Sequence, residues 1–226
     1  MRRSKRMALT GLLAVLGAVA TAGGLRVYAS RVLGLRESLV EPAQWAGAPD
    51  GVVINEVAWM GTQASPSDEW IELFNPAPVS AALEGWHLVD DDHLAINLTG
   101  EIPPHGYYLI ERTDDDTVSD VPADWCGSFG TGGLLNAGQV LTLTDHLGNL
   151  VDTANADGGS WPAGTASSGT SRYATMERVD PLAPDQPDNW CTNDGITRNG
   201  LDAEGQPLNG TPGARNACYR PPAVPS

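Results

Sequence analysis

Lysine is missing from most of this chain. The first 36 residues hold seven of the 13 basic residues and no acid, so residues 37–226 carry six arginines, no lysine and all 28 aspartates and glutamates, a formal charge of −22 (6 − 28). Binding to duplex DNA is driven by lysine and arginine side chains that displace condensed counterions. A region of this charge repels nucleic acid. The composition therefore argues against a nucleic-acid-binding protein.

Signatures of common enzyme and metal sites are also missing. The chain contains no G-x-S-x-G, P-loop or H-E-x-x-H motif, and its four histidines are scattered. None of its three cysteines belongs to a C-x-x-C pair and no H-x-x-x-H spacing occurs, which argues against zinc. EF-hand spacing is absent too. The sequence therefore favours a protein that is not an enzyme.

Long helical hydrophobic periods do not occur after residue 50, where short apolar runs alternate with turn residues. Such runs predict strands. The predicted strands cover residues 52–59, 69–75, 85–90, 93–98, 106–112, 139–145, 149–153 and 172–179. Strands this short and this numerous predict an all-β sandwich. The segments 119–138, 154–170 and 180–217 are predicted to be irregular, the last draped over the sandwich and anchored by Trp190 and Leu201.

Large apolar side chains within these strands are the predicted core, because enclosing an aromatic side chain buries about 150–250 Å². Trp86 is assigned a structural role for this reason. The predicted core residues are Trp59, Trp70, Trp86, Leu88, Tyr107, Leu109, Leu141 and Leu143.

Two glutamates stand out inside the first two predicted strands. Strand alternation places Glu56 on the same face as Ile54, and Glu72 on the same face as Trp70. A carboxylate on an apolar face costs free energy unless amides or a cation satisfy it. We expect Glu56 and Glu72 to be structural, accepting hydrogen bonds from backbone amides of a neighbouring loop. A catalytic carboxylate pair for glycoside hydrolysis is the alternative.

Several motifs follow these glutamates in a fixed order. They are I-N-E-V (54–57), E-W-I-E-L-F-N (69–75), E-G-W-H-L-V-D-D (84–91), I-P-P-H-G-Y-Y-L-I (102–110), L-L-N-A-G-Q-V-L-T-L-T-D (134–145), G-N-L-V-D (148–152) and T-P-G-A-R-N (211–216). Together they resemble a lamin tail domain of the bacterial, exported type over residues 50–216. The resemblance implies an immunoglobulin-like β-sandwich. It implies little about a task, because this fold hosts many unrelated functions.

The amino-terminal residues have a different composition from the rest. Residues 1–6 are basic and residues 7–25 are uncharged, the pattern of an export signal. An uncleaved membrane anchor is the alternative, since these 19 residues approach the roughly 20 needed to span a bilayer. In both cases the basic end stays inside and the acidic domain lies outside. We predict an export or anchor helix over residues 1–25, a linker over 26–49, the sandwich over 50–217 and a proline-rich tail over 218–226.

The three cysteines all lie outside the export signal. Export makes a disulfide plausible, but sequence does not fix connectivity and one thiol is left over. We predict a Cys126–Cys191 disulfide, because each residue follows a tryptophan in an irregular segment. Pairing of Cys191 with Cys218 is the alternative.

Aspartates cluster in several loops. Asp90, Asp91 and Asp92 end a predicted strand, and Asp194 and Asp202 lie in the last irregular segment. Oxygen-rich loops outside the cell suit Ca²⁺, which takes 6–8 oxygen ligands. These five aspartates are therefore a candidate Ca²⁺ site, and a solvated acidic surface is the alternative.

Taken together, the sequence predicts a non-catalytic, exported module for interaction or scaffolding at the cell surface or envelope. Its expected partner is an unidentified protein or polysaccharide, and its expected contact with the membrane is through the N-terminal segment alone. The alternative is a Ca²⁺-dependent module that binds extracellular polysaccharide or protein, accessory to a secreted hydrolase. An enzyme whose acidic loops hold a metal is a third class. We expect no cofactor for the interaction module, and Ca²⁺ is the only cofactor considered for the alternatives.

Overall fold

Short strands make up the regular structure of this chain. The computed structural model describes residues 51–91, 93–166 and 173–220. These ranges contain β-strands, one 3-10 turn (Pro187–Asn189) and no α-helix, so the predicted all-β class is confirmed. The strands are β1 (Val53–Ala58), β2 (Trp70–Phe74), β3 (Ala81–Ala82), β4 (His87–Val89), β5 (Ala95–Asn97), β6 (Glu101–Ile102), β7 (Tyr107–Arg112), β8 (Trp125–Gly127), β9 (Leu141–Thr144), β10 (Leu150–Ala154), β11 (Met176–Arg178) and β12 (Trp190–Thr192).

The strands form three sheets of mixed topology. A six-stranded sheet has the order β12-β11-β1-β2-β7-β8, a four-stranded sheet has the order β10-β9-β4-β5, and β3 pairs with β6. Pairing is antiparallel except between β7 and β8, which run parallel. The predicted strands correspond to β1, β2, β4, β5, β7, β9, β10 and β11. The other four, β3, β6, β8 and β12, have two or three residues each and lie in stretches without clear alternation of apolar and polar residues, so they were missed.

The hydrophobic core lies between the two larger sheets. Ile71 and Leu73 of β2 belong to one buried cluster with Leu88 of β4 and Leu143 of β9, and all four are fully buried. Each such side chain stabilises the fold by about 1.5–3 kcal/mol. Two layers around one core make the domain a β-sandwich. Of the predicted core residues, Trp86 and Tyr107 are half-buried and the others are buried.

A β-bulge at Asn55 changes the faces predicted for β1. The register pairs Ile54 with Leu73 and Glu56 with Glu72, and it shifts between Ile54 and Glu56. Since opposed residues on paired strands share a face, Ile54 lies on the core face whereas Glu56 and Glu72 lie on the outer face. The prediction that Glu56 shares a face with Ile54 is therefore wrong, because the extra residue of a bulge interrupts the alternation.

Two segments predicted to be irregular contain strands: β8 lies within residues 119–138 and β12 within residues 180–217. The chain then crosses the outer face of the six-stranded sheet, where the backbone N–H of Thr175 donates to the carbonyl of Asn209 at 2.9 Å. We call residues 209–219 the C-terminal segment. Of the two predicted anchors, Trp190 is buried and Leu201 is half-buried.

A buried ion pair joins the two larger sheets. Arg178 of β11 donates to Asp152 Oδ2 of β10 at 2.6 Å and to the carbonyl of Ile54 at 2.8 Å. The same Asp152 oxygen accepts the backbone N–H of Ile54 at 2.7 Å. Burial raises the pKa of Asp152 to about 6, although the Arg178 charge acts in the opposite direction. The pair fixes the edge of the four-stranded sheet against β1 and β11.

The predictions for the two ends of the chain fall largely outside the structure. The export or anchor segment (1–25), the linker (26–49) and residues 221–226 of the proline-rich tail lie outside the described residues. Within the described ranges, no helix has the length and apolarity required to cross a membrane.

Candidate functional site

Three carboxylates form a row on the outer face of the six-stranded sheet. Glu56 of β1 is paired with Glu177 of β11 on one side and with Glu72 of β2 on the other. All three side chains are fully buried. Glu177 was not among the predicted site residues, although it too is an acid inside a predicted strand (172–179), which is the signal that identified Glu56 and Glu72. We call Glu56, Glu72 and Glu177 the carboxylate row.

Glu56 is held by two threonines. The backbone N–H and hydroxyl of Thr211 donate to its two oxygens at 2.9 and 2.8 Å, and the Thr175 hydroxyl donates at 2.5 Å. Gly210 brings the C-terminal segment close enough for these contacts. A Cβ atom there would lie 2.8 Å from Glu56 Oε1 and 3.0 Å from the Trp70 ring, so no larger residue fits without a shift.

Glu72 is held by the next residues of the C-terminal segment. The backbone N–H of Gly213 donates to it at 2.5 Å, and Asn55 Nδ2 donates at 2.9 Å. Asn55 Nδ2 also contacts Asn216 Oδ1 at 2.8 Å, and Asn216 in turn donates to the carbonyl of Arg178 at 2.8 Å. The bulge at Asn55 thus places an amide where it connects the carboxylate row to the C-terminal segment.

Glu177 has donors from both flanking segments. Asn193 Nδ2 donates to it at 2.5 Å and the backbone N–H of Ala217 at 2.8 Å. The neighbouring Cys218 is disulfide-bonded to Cys191, which lies opposite Glu177 on β12. The disulfide therefore fastens the end of the C-terminal segment beside the carboxylate row.

This disulfide corrects the predicted Cys126–Cys191 pairing. The sulfur atoms of Cys191 and Cys218 are bonded. The Cα atoms of these two residues are 6.6 Å apart, within the span of a disulfide. Cys126 is free and exposed on β8, at the opposite edge of the same sheet. Five strand spacings of about 4.8 Å separate those edges, roughly 24 Å. A tryptophan before each cysteine carried no information about strand order, which decides the pairing.

The pKa values of the three carboxyl groups in the carboxylate row are all raised. Burial and then the nearby Glu177 charge raise the pKa of Glu56 to about 8. Burial and then Glu56 raise the pKa of Glu72 well above its ordinary value, and burial raises the pKa of Glu177. The geometry agrees: Thr211 Oγ1 lies 2.8 Å from Glu56 and 3.2 Å from Glu177. One hydroxyl carries one proton, so Thr211 donates to one of these carboxyl groups at a time, and a proton on the other would relieve their repulsion.

The carboxylate row is closed to a substrate. Its oxygens accept hydrogen bonds from Thr175, from Asn55 and Asn193 and from the C-terminal segment above. In the described part of the chain, every buried side-chain polar atom has a hydrogen-bond partner. Buried polar groups that are fully satisfied specify a structure rather than bind a ligand. The row therefore fixes the C-terminal segment on the sheet.

An open cleft lies beside the row, at the end of β2 and β7. It has a volume of about 280 Å³, and Asn55 and Asn216 contribute to its lining. The Phe74 and Tyr107 rings, a cross-strand pair, are 5.0 Å apart. Arg215 lies over the Tyr219 ring at 5.3 Å. The other lining residues are Pro76, His105, Pro181 and Leu182. The sequence did not predict this cleft, because five segments that are distant along the chain meet there.

Three aspartates of the candidate Ca²⁺ site, Asp90, Asp194 and Asp202, accept backbone N–H groups in separate turns. Asp90 Oδ1 accepts the backbone N–H groups of His93 and Leu94, at 2.6 and 2.8 Å. Asp194 and Asp202 each accept two backbone N–H groups of the turn that follows them. Asp91 is exposed, and Asp92 lies outside the described residues.

The four aspartates with described positions (Asp90, Asp91, Asp194 and Asp202) do not converge on one point. Among the residues with described positions, one group of three acidic, cysteine or histidine side chains converges within 4.8 Å, and it consists of Glu177, Cys191 and Cys218. The two sulfurs of that group are bonded to each other. Ca²⁺ binding by the predicted aspartates stays a prediction.

A β-sandwich with one mixed and one antiparallel sheet, covered on one outer face by its own C-terminal segment, is typical of an immunoglobulin-like domain. The family model of the Lamin Tail Domain matches residues 46–158, which is half of the 226 residues. The chain therefore belongs to the lamin tail domain family, as its motifs indicated. No match was found among curated proteins. Strands β11 and β12 and the C-terminal segment follow the matched region.

Proposed function

We propose that this lamin tail domain is a non-catalytic interaction or scaffold module, exported by its N-terminal segment and displayed at the cell surface or envelope. One observation carries the proposal. The acids most suited to chemistry are closed by the C-terminal segment, whereas the cleft lined by Phe74, Tyr107 and Arg215 is open. A concave, largely apolar site with one charged group is suited to recognition.

Charge supports a location outside the cell and a partner other than nucleic acid. Residues 37–226 carry a formal charge of −22 (6 − 28), whereas the basic residues that precede them lie at the start of the chain. A basic end that stays inside and an acidic domain that is exported follow the orientation rule for membrane insertion. The Cys191–Cys218 disulfide is typical of an oxidising compartment.

Capture from a cell-envelope extract tests the function. The immobilised chain is compared with a chain whose Arg215→Gln change alters the cleft, and each is used with and without calcium. We expect a specific protein or polysaccharide to be retained by the unaltered chain. If the immobilised chain retains no more protein or polysaccharide than an unrelated acidic domain does, the proposal is refuted.

A reporter fusion tests the location. A reporter enzyme that folds only when its disulfides form outside the cytoplasm is joined to the end of the chain. We expect activity with residues 1–25 present and none when they are deleted. Equal reporter activity in cells that express the fusion with residues 1–25 and in cells that express it without them would contradict export by this segment.

A Ca²⁺-dependent module is the second candidate. Burial raises the pKa of Asp68, and the nearby charges of Asp114 and Asp202 raise it further. A divalent cation would relieve this repulsion. We expect millimolar Ca²⁺ to raise the melting temperature by mass action, more in the unaltered chain than after Asp202→Asn. A melting temperature unaffected by Ca²⁺ and by chelator would remove this candidate.

A further inference from the structure

The cleft beside the carboxylate row has the chemistry of a particular ligand. Resting on the proposed interaction function, we propose that it binds the carboxyl-terminal residue of a partner peptide: Arg215 pairs with the terminal carboxylate, and Phe74, Tyr107 and Tyr219 enclose an apolar side chain.

The cleft walls are suited to one large apolar side chain. Phe74 and Tyr107 project from paired positions on β2 and β7 with their rings tilted by 35°. Leu182 is 42% exposed on another wall. The volume of about 280 Å³ is close to the lower end of the roughly 300–1,000 Å³ of small-molecule sites. A single side chain with its backbone carboxylate matches this size.

Arg215, the cation at the cleft, has no carboxylate partner in the described part of the chain. The ion pairs there involve His93, Arg112 and Arg178, and no hydrogen bond is formed by Arg215. Its guanidinium lies over the Tyr219 ring, 5.3 Å from the centroid. The N–H donors of this planar, fork-shaped guanidinium are therefore available to a ligand. This fork matches the two oxygens of a carboxylate.

No carboxylate of the row forms an ion pair with this cation. Glu72 is occupied by Gly213 and Asn55 on the buried side of the C-terminal segment. Arg215 itself is exposed. The cleft therefore presents one positive charge within a strongly acidic domain.

Neighbouring anchors hold Arg215 in place. Asn216 is buried and hydrogen-bonded to Asn55 and to the Arg178 carbonyl. Gly213 is bound to Glu72, and Cys218 is in the disulfide. The backbone on both sides of Arg215 is thus fixed before a ligand arrives, which reduces the entropy lost on binding.

A peptide suits the cleft better than an acidic polysaccharide. A sugar needs several hydrogen-bonding groups, but the Asn55 and Asn216 amides already bond to each other. A polyuronate would also bring a series of negative charges to a domain of formal charge −22 (6 − 28 for residues 37–226), which repels it. A peptide terminus requires the single charge that Arg215 neutralises.

A titration with matched peptides tests the proposal. The probe is N-acetyl-Gly-Gly-Ser-Phe with a free carboxylate, and the control is the same peptide as its C-terminal amide. Both are followed by NMR on the isotope-labelled full chain. We expect the free acid to shift resonances of Phe74, Tyr107 and Tyr219, and the amide to bind at least about tenfold more weakly.

Two arginine variants identify the residue responsible. Arg215→Gln is expected to weaken binding of the free-acid peptide about tenfold and to leave binding of the amide peptide unchanged. The substitution and the amidation of the peptide each remove the same ion pair, so their effects should not add. Arg220→Gln is the matched control, since Arg220 is also exposed but does not line the cleft. It is expected to leave both affinities unchanged. The melting temperature of each variant reports its folding independently of binding.

Several results would overturn the proposal. Equal binding of acid and amide would do so, as would an Arg215→Gln chain that binds the acid normally. Binding of a uronate trisaccharide through Arg215, with no peptide binding, would replace the peptide with an acidic glycan. An envelope partner that the Arg215→Gln chain retains equally would support the interaction module while refuting this cleft as its site.

Discussion

Raising the pH is expected to destabilise this domain. Burial raises the pKa of Glu56 from 4.5 to about 8. Between these values the native state holds a proton that the unfolded state has released, so unfolding becomes more favourable as the pH rises. The stabilisation is complete below the ordinary pKa and is lost as the pH passes the raised one. Glu72 and Glu177 are shifted in the same direction and act together with Glu56.

The expected size of this effect is large. One pKa unit corresponds to about 1.4 kcal/mol, so the shift of Glu56 represents on the order of 5 kcal/mol. Typical domains unfold with about 5–15 kcal/mol. The expected loss is therefore a third or more of the free energy of unfolding of a typical domain.

Urea unfolding, followed by tryptophan fluorescence, measures the effect at a series of pH values. Trp70 is fully buried near the carboxylate row and reports its opening. We expect the free energy of unfolding to fall between about pH 5 and about pH 8. Glu56→Gln removes one titrating group and should reduce this slope by about 1.4 kcal/mol per pH unit.

The exposed Glu101 supplies the control. Glu101→Gln should leave the slope unchanged. A stability that is constant or rises over this range would refute the reasoning, as would a Glu56→Gln profile parallel to that of the unaltered chain.

Three further changes have expected outcomes. Gly210→Ala should destabilise the domain by about 1–3 kcal/mol, because its Cβ would meet Glu56 and Trp70; an unchanged urea midpoint would contradict the close contact. Cys191→Ser opens a disulfide with a sequence separation of 27 and should cost about 3–4 kcal/mol, whereas Cys126→Ser should cost nothing measurable, and equal losses would contradict the assigned pairing. Asp152→Ala leaves the charge of Arg178 buried and should cost about 3–5 kcal/mol by urea unfolding; a loss below about 1 kcal/mol would show that the pair is not desolvated.

Regular alternation was the part of the fold that the sequence encoded locally. Strands such as β1, β2 and β7 are five or six residues long and rich in apolar side chains. This length suffices to detect them. The bulge at Asn55 has no such local signal, because a bulge is defined by two residues opposing one on the partner strand. Pairing register, not composition, therefore decided which face Glu56 occupies.

The candidate site was predictable only where one strand carried the signal. An acid inside an apolar run identified Glu56 and Glu72, and the same reasoning applied to Glu177. Each of the three also accepts a backbone N–H of the C-terminal segment, which lies far along the chain: Thr211 is 155 positions from Glu56, and Ala217 is 40 positions from Glu177. Such contacts depend on how the chain crosses the sheet. The same is true of the cleft, where Arg215 meets the ends of β2 and β7.

Hydrogen exchange of three amides tests most directly whether buried acids fasten the C-terminal segment to the sandwich. The backbone N–H groups of Thr211, Gly213 and Ala217 donate to Glu56, Glu72 and Glu177. If the carboxylates hold the segment, these amides exchange as slowly as those of the core strands, through opening of the whole domain. Exchange at the rate of an unstructured peptide would show that the C-terminal segment is not held on the sheet by the three carboxylates, and would contradict this account.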